Sequence, residues 1–134
     1  MSDDVEFLDI DDVIELIRRL MGDPPLIRDI GLLGSAVARP QTTVFGQDAY
    51  PDIWSKAGAL LQSIVNNHAW IDGNKRLGWL ATAVFLEING VGVTHVSNDA
   101  VYEFVVHIAA TNPPFEAIAE SLCRLVRGEG QPHT

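Results

Sequence analysis

Sulfur is nearly missing from this sequence: a single cysteine, Cys123, and two methionines. One cysteine cannot close an internal disulfide, and without a second thiol it offers no cysteine-based zinc site. Basic residues are also few. Nine lysines and arginines stand against eighteen aspartates and glutamates, for a formal net charge of −9 and a pI near 4.6. That surface repels polyanions, because nonspecific nucleic-acid binding depends on neutralising phosphates, so direct nucleic-acid binding is not expected. Long apolar runs are missing too. The most apolar stretch, residues 77–88, is broken by Gly78 and Thr82 and falls well short of the roughly 20 residues a spanning helix needs, so no membrane association is expected. The first seven residues are acidic and lack a cationic segment followed by an apolar run, so no secretory leader is expected and a cytoplasmic location is. No repeat, linker or biased tract interrupts the 134 residues.

What is present suits one globular domain, with its core over about 7–127 and a polar tail over 128–134. Apolar residues make up 47% of the chain and charged residues 20%. Helical periodicity dominates. Val13, Ile14, Leu16, Ile17 and Leu20 share one face of a helix over about 10–21, with Asp9, Asp11 and Asp12 at its start where carboxylates suit the helix dipole. A second short helix is predicted over 30–38, stopped by Pro40. Pro51 fits the first turn of a third, which carries Ile53, Trp54, Ala57, Leu60, Leu61, Ile64 and Val65 and ends near residues 66–68. A fourth, over 74–88, is apolar nearly all round and reads as the central buried helix, closed by Asn89-Gly90. Residues 91–96 read as extended. Ser97 is a candidate N-cap for a fifth helix, and a sixth spans about 115–126 after Asn112-Pro113-Pro114. The prediction is an all-α bundle of about six helices, with residues 41–50, rich in β-prone Thr42, Thr43, Val44 and Phe45, forming a loop or small hairpin flap.

Chemistry concentrates between the third and fourth helices, in His68-Ala69-Trp70-Ile71-Asp72-Gly73-Asn74-Lys75-Arg76. A loop that enters a helix N-terminus offers backbone N–H donors and partial positive charge, which together make an anion site. Gly73 permits a turn and close approach of a ligand. Lys75 and Arg76 add positive charge, although basic residues in a first helical turn run against the dipole preference. Asp72 supplies the oxygen that Mg²⁺ prefers when phosphates are also bound. His68 is the one residue here of a type whose ordinary pKa lies near neutrality, and it fits a general base. Trp70 and Ile71 suit anchoring of the loop in the core. The same letters also have a plainer reading, in which Asp72-Gly73-Asn74 is a turn, Asn74 an N-cap, and the two cations a solvated first turn.

This run resembles the Fic superfamily signature, H-x-F-x-[DE]-[GA]-N-x-R, and the lysine before the arginine marks the Doc branch. The stretches 28–33, 38–41, 50–51 and 85–91 are similar to segments common in Doc-like proteins, and the likeness extends over about 7–126. The resemblance implies an all-α fold and makes His68 the base towards a target hydroxyl. It makes Asp72 a ligand for Mg²⁺, and Gly73, Asn74, Lys75 and Arg76 the anion hole for ATP. It further implies a toxin paired with a Phd-like antitoxin, acting as a protein kinase on a Thr or Ser of a translation factor, elongation factor Tu being the family's target. AMP transfer is the alternative reaction, and a catalytically silent interaction module the alternative role. AMP-transferring relatives usually carry glycine where Lys75 stands and a second arginine where Trp79 stands. Trp70 replaces the usual phenylalanine, Leu77 the threonine often found after the arginine, and the first helix lacks a polar histidine common in the branch.

The segment 41–50 matches the place of the flap that docks the target's backbone in family members, with Thr42, Thr43, Val44 and Phe45 as its contact residues. No self-silencing Ser/Thr-x-x-x-Glu-Gly/Asn motif is found, so control is expected from the antitoxin, docked in an apolar groove beside the first helix and the flap. Arg39 has two readings, a phosphate contact or a surface or structural ion pair. Arg18 and Arg19 read as a solvated face, His95 and His107 as structural or surface residues, Cys123 as a small buried hydrophobe, and His133 as part of the tail.

Overall fold

Asp9 starts the first helix. Its carboxylate accepts from the Asp12 backbone N–H at 2.8 Å while the Asp12 side chain accepts from the Asp9 N–H, a reciprocal cap that sets the beginning of α1 (Ile10–Met21). The structure is a computed structural model and describes residues 4–25, 27–66 and 73–128. The residues His68, Trp70, Ile71, Asp72 and His133 singled out above lie outside the described ones. Along α1, Val13 and Ile17 are buried, and Arg18 and Arg19 face solvent in ion pairs with Glu15 and, for Arg18, also with Asp23. The hydrogen bond from Arg19 is the main cause holding the Glu15 carboxyl below its ordinary range.

Asp29 caps α2 (Ile30–Ala38), and a 3-10 turn (Arg39–Gln41) follows. Residues 41–50 contain an antiparallel hairpin, β1 (Thr43–Val44) paired with β2 (Gln47–Asp48), in the register Thr43 to Asp48 and Val44 to Gln47. Helix α3 (Ile53–Val65) begins two residues later than Pro51 implied. Asp52 takes the cap position and exchanges hydrogen bonds with Ser55, because a carboxylate that accepts from the first turn outcompetes a proline. Helices α4 (Asn74–Ile88), α5 (Asn98–Thr111) and α6 (Phe115–Arg127) complete the bundle, and Ser97 caps α5 as expected. Residues 91–93 belong to no regular element and 94–95 form a turn, with the Val96 N–H closing on the Val93 carbonyl.

The centre of the bundle differs from the prediction. Helix α3 has nine buried residues, from Ser55 to Leu61 without a break, then Ile64 and Val65, while α4 has seven and exposes Lys75, Arg76, Glu87 and Ile88. The reason is that α3 is packed on two sides, by α4 and by α6. Gly58 makes the second contact possible: a Cβ there would lie 3.1–3.2 Å from backbone atoms of Ala119 and Phe115. Leu60, Ile64, Leu77, Phe85, Leu86 and Leu122 fill the shared interior, each side chain worth roughly 2 kcal/mol of burial. The N-terminal segment is tied to the far end of α4, where Asn89 hydrogen-bonds both the N–H and the carbonyl of Glu6 and Phe7 stacks on Phe85. No helix among the described residues is long and apolar enough to cross a membrane. Cys123 is half-buried rather than buried.

Candidate functional site

The end of α3 and the start of α4 face each other across residues 67–72. Both rims are anchored. Asn66 donates to Asn112 Oδ1 at 2.9 Å and to the Gln62 carbonyl at 3.1 Å, and Gln62 donates in turn to the Pro113 carbonyl at 2.7 Å. On the other side, Asn74 Nδ2 donates to the Val65 carbonyl at 3.2 Å. The signature asparagine is therefore not the N-cap of α4. It is the first helical residue, and its side chain ties the start of α4 to the end of α3.

Gly73 takes the cap position with φ 87°, in the left-handed region, and caps the helix without a side chain. A Cβ at Gly73 would meet Met21 Sδ at 2.9 Å, a flexible side chain that can shift, so it is the left-handed backbone that calls for glycine. The first turn of α4 has no acidic residue. Lys75 and Arg76 are exposed, and among the described residues neither is paired with a carboxylate. Two unpaired cations at the positive end of a helix repel the dipole, and an anion would relieve both. Beside them, between the facing sides of α4 and α5, opens a cleft of about 510 Å³ whose walls, including Leu20, Trp79, Val101 and Tyr102, are mostly apolar. The geometry thus brings Gly73, Asn74, Lys75 and Arg76 to one helix entrance and sets Trp79 on the adjoining wall.

The flap's root is fastened to α3. Val44 and Phe45 are exposed, Phe45 completely, and its φ of 51° with Gly46 at 78° makes a turn in which both central residues are left-handed. Thr42 precedes β1, its N–H and Oγ1 both donating to the Arg39 carbonyl, and the Ala49 N–H donates to the Thr42 carbonyl. Arg39 makes no ion pair among the described residues. Its guanidinium donates to Tyr50 Oη at 2.7 Å, Gln62 Oε1 at 2.7 Å, Ser63 Oγ at 2.9 Å and the Ala59 carbonyl at 3.2 Å, all neutral acceptors, and so lashes the flap's root to the last turns of α3. Lys56, buried on α3, donates to the Tyr50 carbonyl and to Asp48 Oδ2 at 3.3 Å. Sequence reasoning passed over Lys56. The available signal was its place three residues after Ile53 and four before Leu60, on a face otherwise apolar.

The groove expected beside α1 and the flap also differs. The cavity between residues 4–7 and the flap's root is lined by charged Asp4, Glu6, Asp48 and Lys56 as well as Val5, Phe7 and Pro40, and the more apolar cleft lies between α4 and α5, with only Leu20 contributed by α1. Of the remaining expectations, His95 Nε2 is hydrogen-bonded to the Val126 carbonyl, and His107 is exposed beside Thr111.

Comparison with known proteins agrees with this architecture. Residues 7–86, from the N-terminal segment through α4, match the family model described as Fic/DOC family. The chain belongs to the Fic/DOC family. It is also 45% identical over 118 residues to the protein named Toxin Doc of Mycolicibacterium smegmatis, a match covering 87% of this chain and 91% of that protein. The matched region includes the flap, α3 and the whole signature.

Proposed function

We propose that this chain is the toxin of a toxin–antitoxin pair and that it acts as a protein kinase, moving the γ-phosphate of ATP to a Thr or Ser hydroxyl of elongation factor Tu. The observation that carries the reading is the pair Lys75 and Arg76, exposed and without carboxylate partners among the described residues, at the glycine-capped start of α4. Phosphoryl transfer depends mainly on positioning and on charge stabilisation, and this helix entrance supplies both. The likeness to a protein named Toxin Doc supports the toxin role and a Phd-like antitoxin partner. A cytoplasmic place of action follows from the target.

In this reading the phosphates sit on the first turn of α4, held by Lys75 and Arg76, with Gly73 giving the space and Asn74 bracing the entrance against α3. The donor set fits a phosphate ligand, since it is made of cations at a helix N-terminus. Asp72 would hold Mg²⁺, which supplies charge neutralisation to the phosphates when bound. The target hydroxyl oxygen forms a bond to the γ-phosphorus as the bond between that phosphorus and the β–γ bridging oxygen breaks. The hydroxyl proton passes to His68, and ADP leaves. The hairpin, with Thr42, Thr43, Val44 and Phe45, would hold the target's backbone by strand addition.

The alternative reaction, AMP transfer, is disfavoured by Trp79. It stands on the apolar cleft wall next to Lys75 and Arg76, where AMP-transferring relatives would place a further cation. Incubating purified elongation factor Tu with ATP labelled at the γ or the α phosphate separates the readings. Label from the γ position only, lost in His68→Ala, is the expected result. Label from the α position would replace the kinase by an AMP transferase, and no label from either would favour a silent interaction module.

A further inference from the structure

The flap's root holds two cations where stability alone gives little reason for them. Lys56 is only 4% exposed, in the first turn of the most buried helix of the bundle. Removing a lysine from water is costly, and an apolar side chain in such a place is commonly neutral or stabilising. Its Nζ is aimed away from the core at the flap, where it donates to the Tyr50 carbonyl and to the Asp48 carboxylate on β2. Arg39 approaches the same tyrosine from the other side. It donates to the phenolic oxygen and lies 5.2 Å from the ring centroid, while its Nη1 is held by three acceptors on α3. The ring of Tyr50 rests edge-on against Phe115 of α6 at 4.8 Å. One residue at the flap's exit is therefore gripped at its carbonyl, its hydroxyl and its ring. Two of those grips come through α3, whose end leads into the signature loop.

A two-strand hairpin of this size is not stable alone in water. Beyond its root, the described flap is exposed from Gln41 to Asp48. Whatever keeps it in place must act at the root, and Arg39 and Lys56 are the groups that do so.

We propose that Lys56 and Arg39 are positioning residues for the protein substrate. By fixing Tyr50 to α3 they make the flap and the signature-bearing end of that helix one rigid unit, so that a chain laid on the flap arrives in register with the phosphate site. The proposal rests on the reading of the chain as an enzyme acting on a protein hydroxyl. Among the described residues both hydrogen-bond only the flap's root and α3, and neither reaches the first turn of α4, so their loss is expected to affect the protein substrate and spare ATP.

The test uses the full chain with Lys56→Met, which keeps the length of the side chain without its charge, and Asp48→Asn, an exposed change that leaves the core untouched. Amide hydrogen exchange in Lys56→Met should quicken about tenfold or more over the flap, Ala49 included, and stay unchanged in α4. In the labelling assay KM for elongation factor Tu should rise about tenfold with KM for ATP unmoved, and Asp48→Asn should shift it in the same direction by less. Unchanged exchange in the flap overturns the proposal. So does a loosened flap with an unmoved KM for elongation factor Tu, or a rise in both KM values together. If the unaltered chain transfers no label, the kinase reading falls by itself and the Kd for elongation factor Tu takes the place of KM. Binding that Lys56→Met weakens about tenfold sustains the proposal, and equal binding or none overturns it.

Discussion

Arg39 and Tyr50 interact twice, through a hydrogen bond of 2.7 Å from the guanidinium Nε to the phenolic oxygen and through the face of the same ring, 5.2 Å from the guanidinium carbon. The pair lies at the two ends of the flap, eleven residues apart, and closes it like a clasp. Every acceptor around Arg39 is neutral. Its charge is therefore uncompensated by any described carboxylate, and what it contributes is directional hydrogen bonding.

Tyr50→Phe removes that hydroxyl and nothing else, since the ring keeps its place against Phe115. The Arg39 Nε–H is then left without its acceptor in a half-buried setting, which costs about 1–3 kcal/mol. Urea unfolding with an unchanged slope and a lower midpoint is the expected result. A midpoint equal to that of the unaltered chain would mean the clasp contributes nothing.

Phe45→Asn should do the opposite. Phe45 is fully exposed and has φ 51°, a conformation that costs a bulky L-residue roughly 1–2 kcal/mol and that asparagine tolerates. Thermal unfolding of the variant should move up, while labelling of elongation factor Tu falls if the flap's tip meets the target. A drop in melting temperature would contradict the turn geometry.

Gly58→Ala tests the α3–α6 contact. Alanine is the better helix former by about 1 kcal/mol, so propensity alone favours the change. The added methyl, however, meets backbone atoms of α6 at 3.1–3.2 Å, which cannot rotate away. Overpacking of this kind costs typically 1–3 kcal/mol, and a net loss of stability in chemical denaturation is expected. A gain would show that α6 can move outward freely.

Lys75→Glu separates binding from folding. A carboxylate in the first turn suits the helix dipole, and Lys75 is exposed and unpaired among the described residues, so stability should hold or rise by about 0.3–1 kcal/mol. ATP affinity, read by calorimetry, should fall about tenfold or more, because an anion now faces the phosphates. Retained affinity would place the nucleotide elsewhere.

Much of this protein is legible in local sequence. The extents of α1, α2 and α4 follow from periodicity together with Asp9, Asp29, Asn89 and Gly90, because caps and apolar spacing act within a few residues of one another. The clustering of Gly73, Asn74, Lys75 and Arg76 at a helix entrance is equally local, being a consequence of chain order. The signature by itself carries the family resemblance.

Other features depended on distant partners. Asn74 reads as a cap in sequence, yet Gly73 takes that position and the asparagine reaches back to Val65. Arg39 reads as a phosphate contact or an ion-pair residue, and its acceptors proved to be neutral groups 11 to 24 positions away. Lys56 reads as one polar letter in an amphipathic helix, and only the packing of α6 and the flap around α3 makes it a buried cation. The same packing made α3, rather than α4, the most enclosed helix. The sequence by itself determined the helices, their ends and the charged entrance, since these depend on neighbours within a turn or two. The tertiary structure alone decided which helix is central and what holds the flap, because burial and hydrogen-bond partners are set by elements that meet only when the chain is folded.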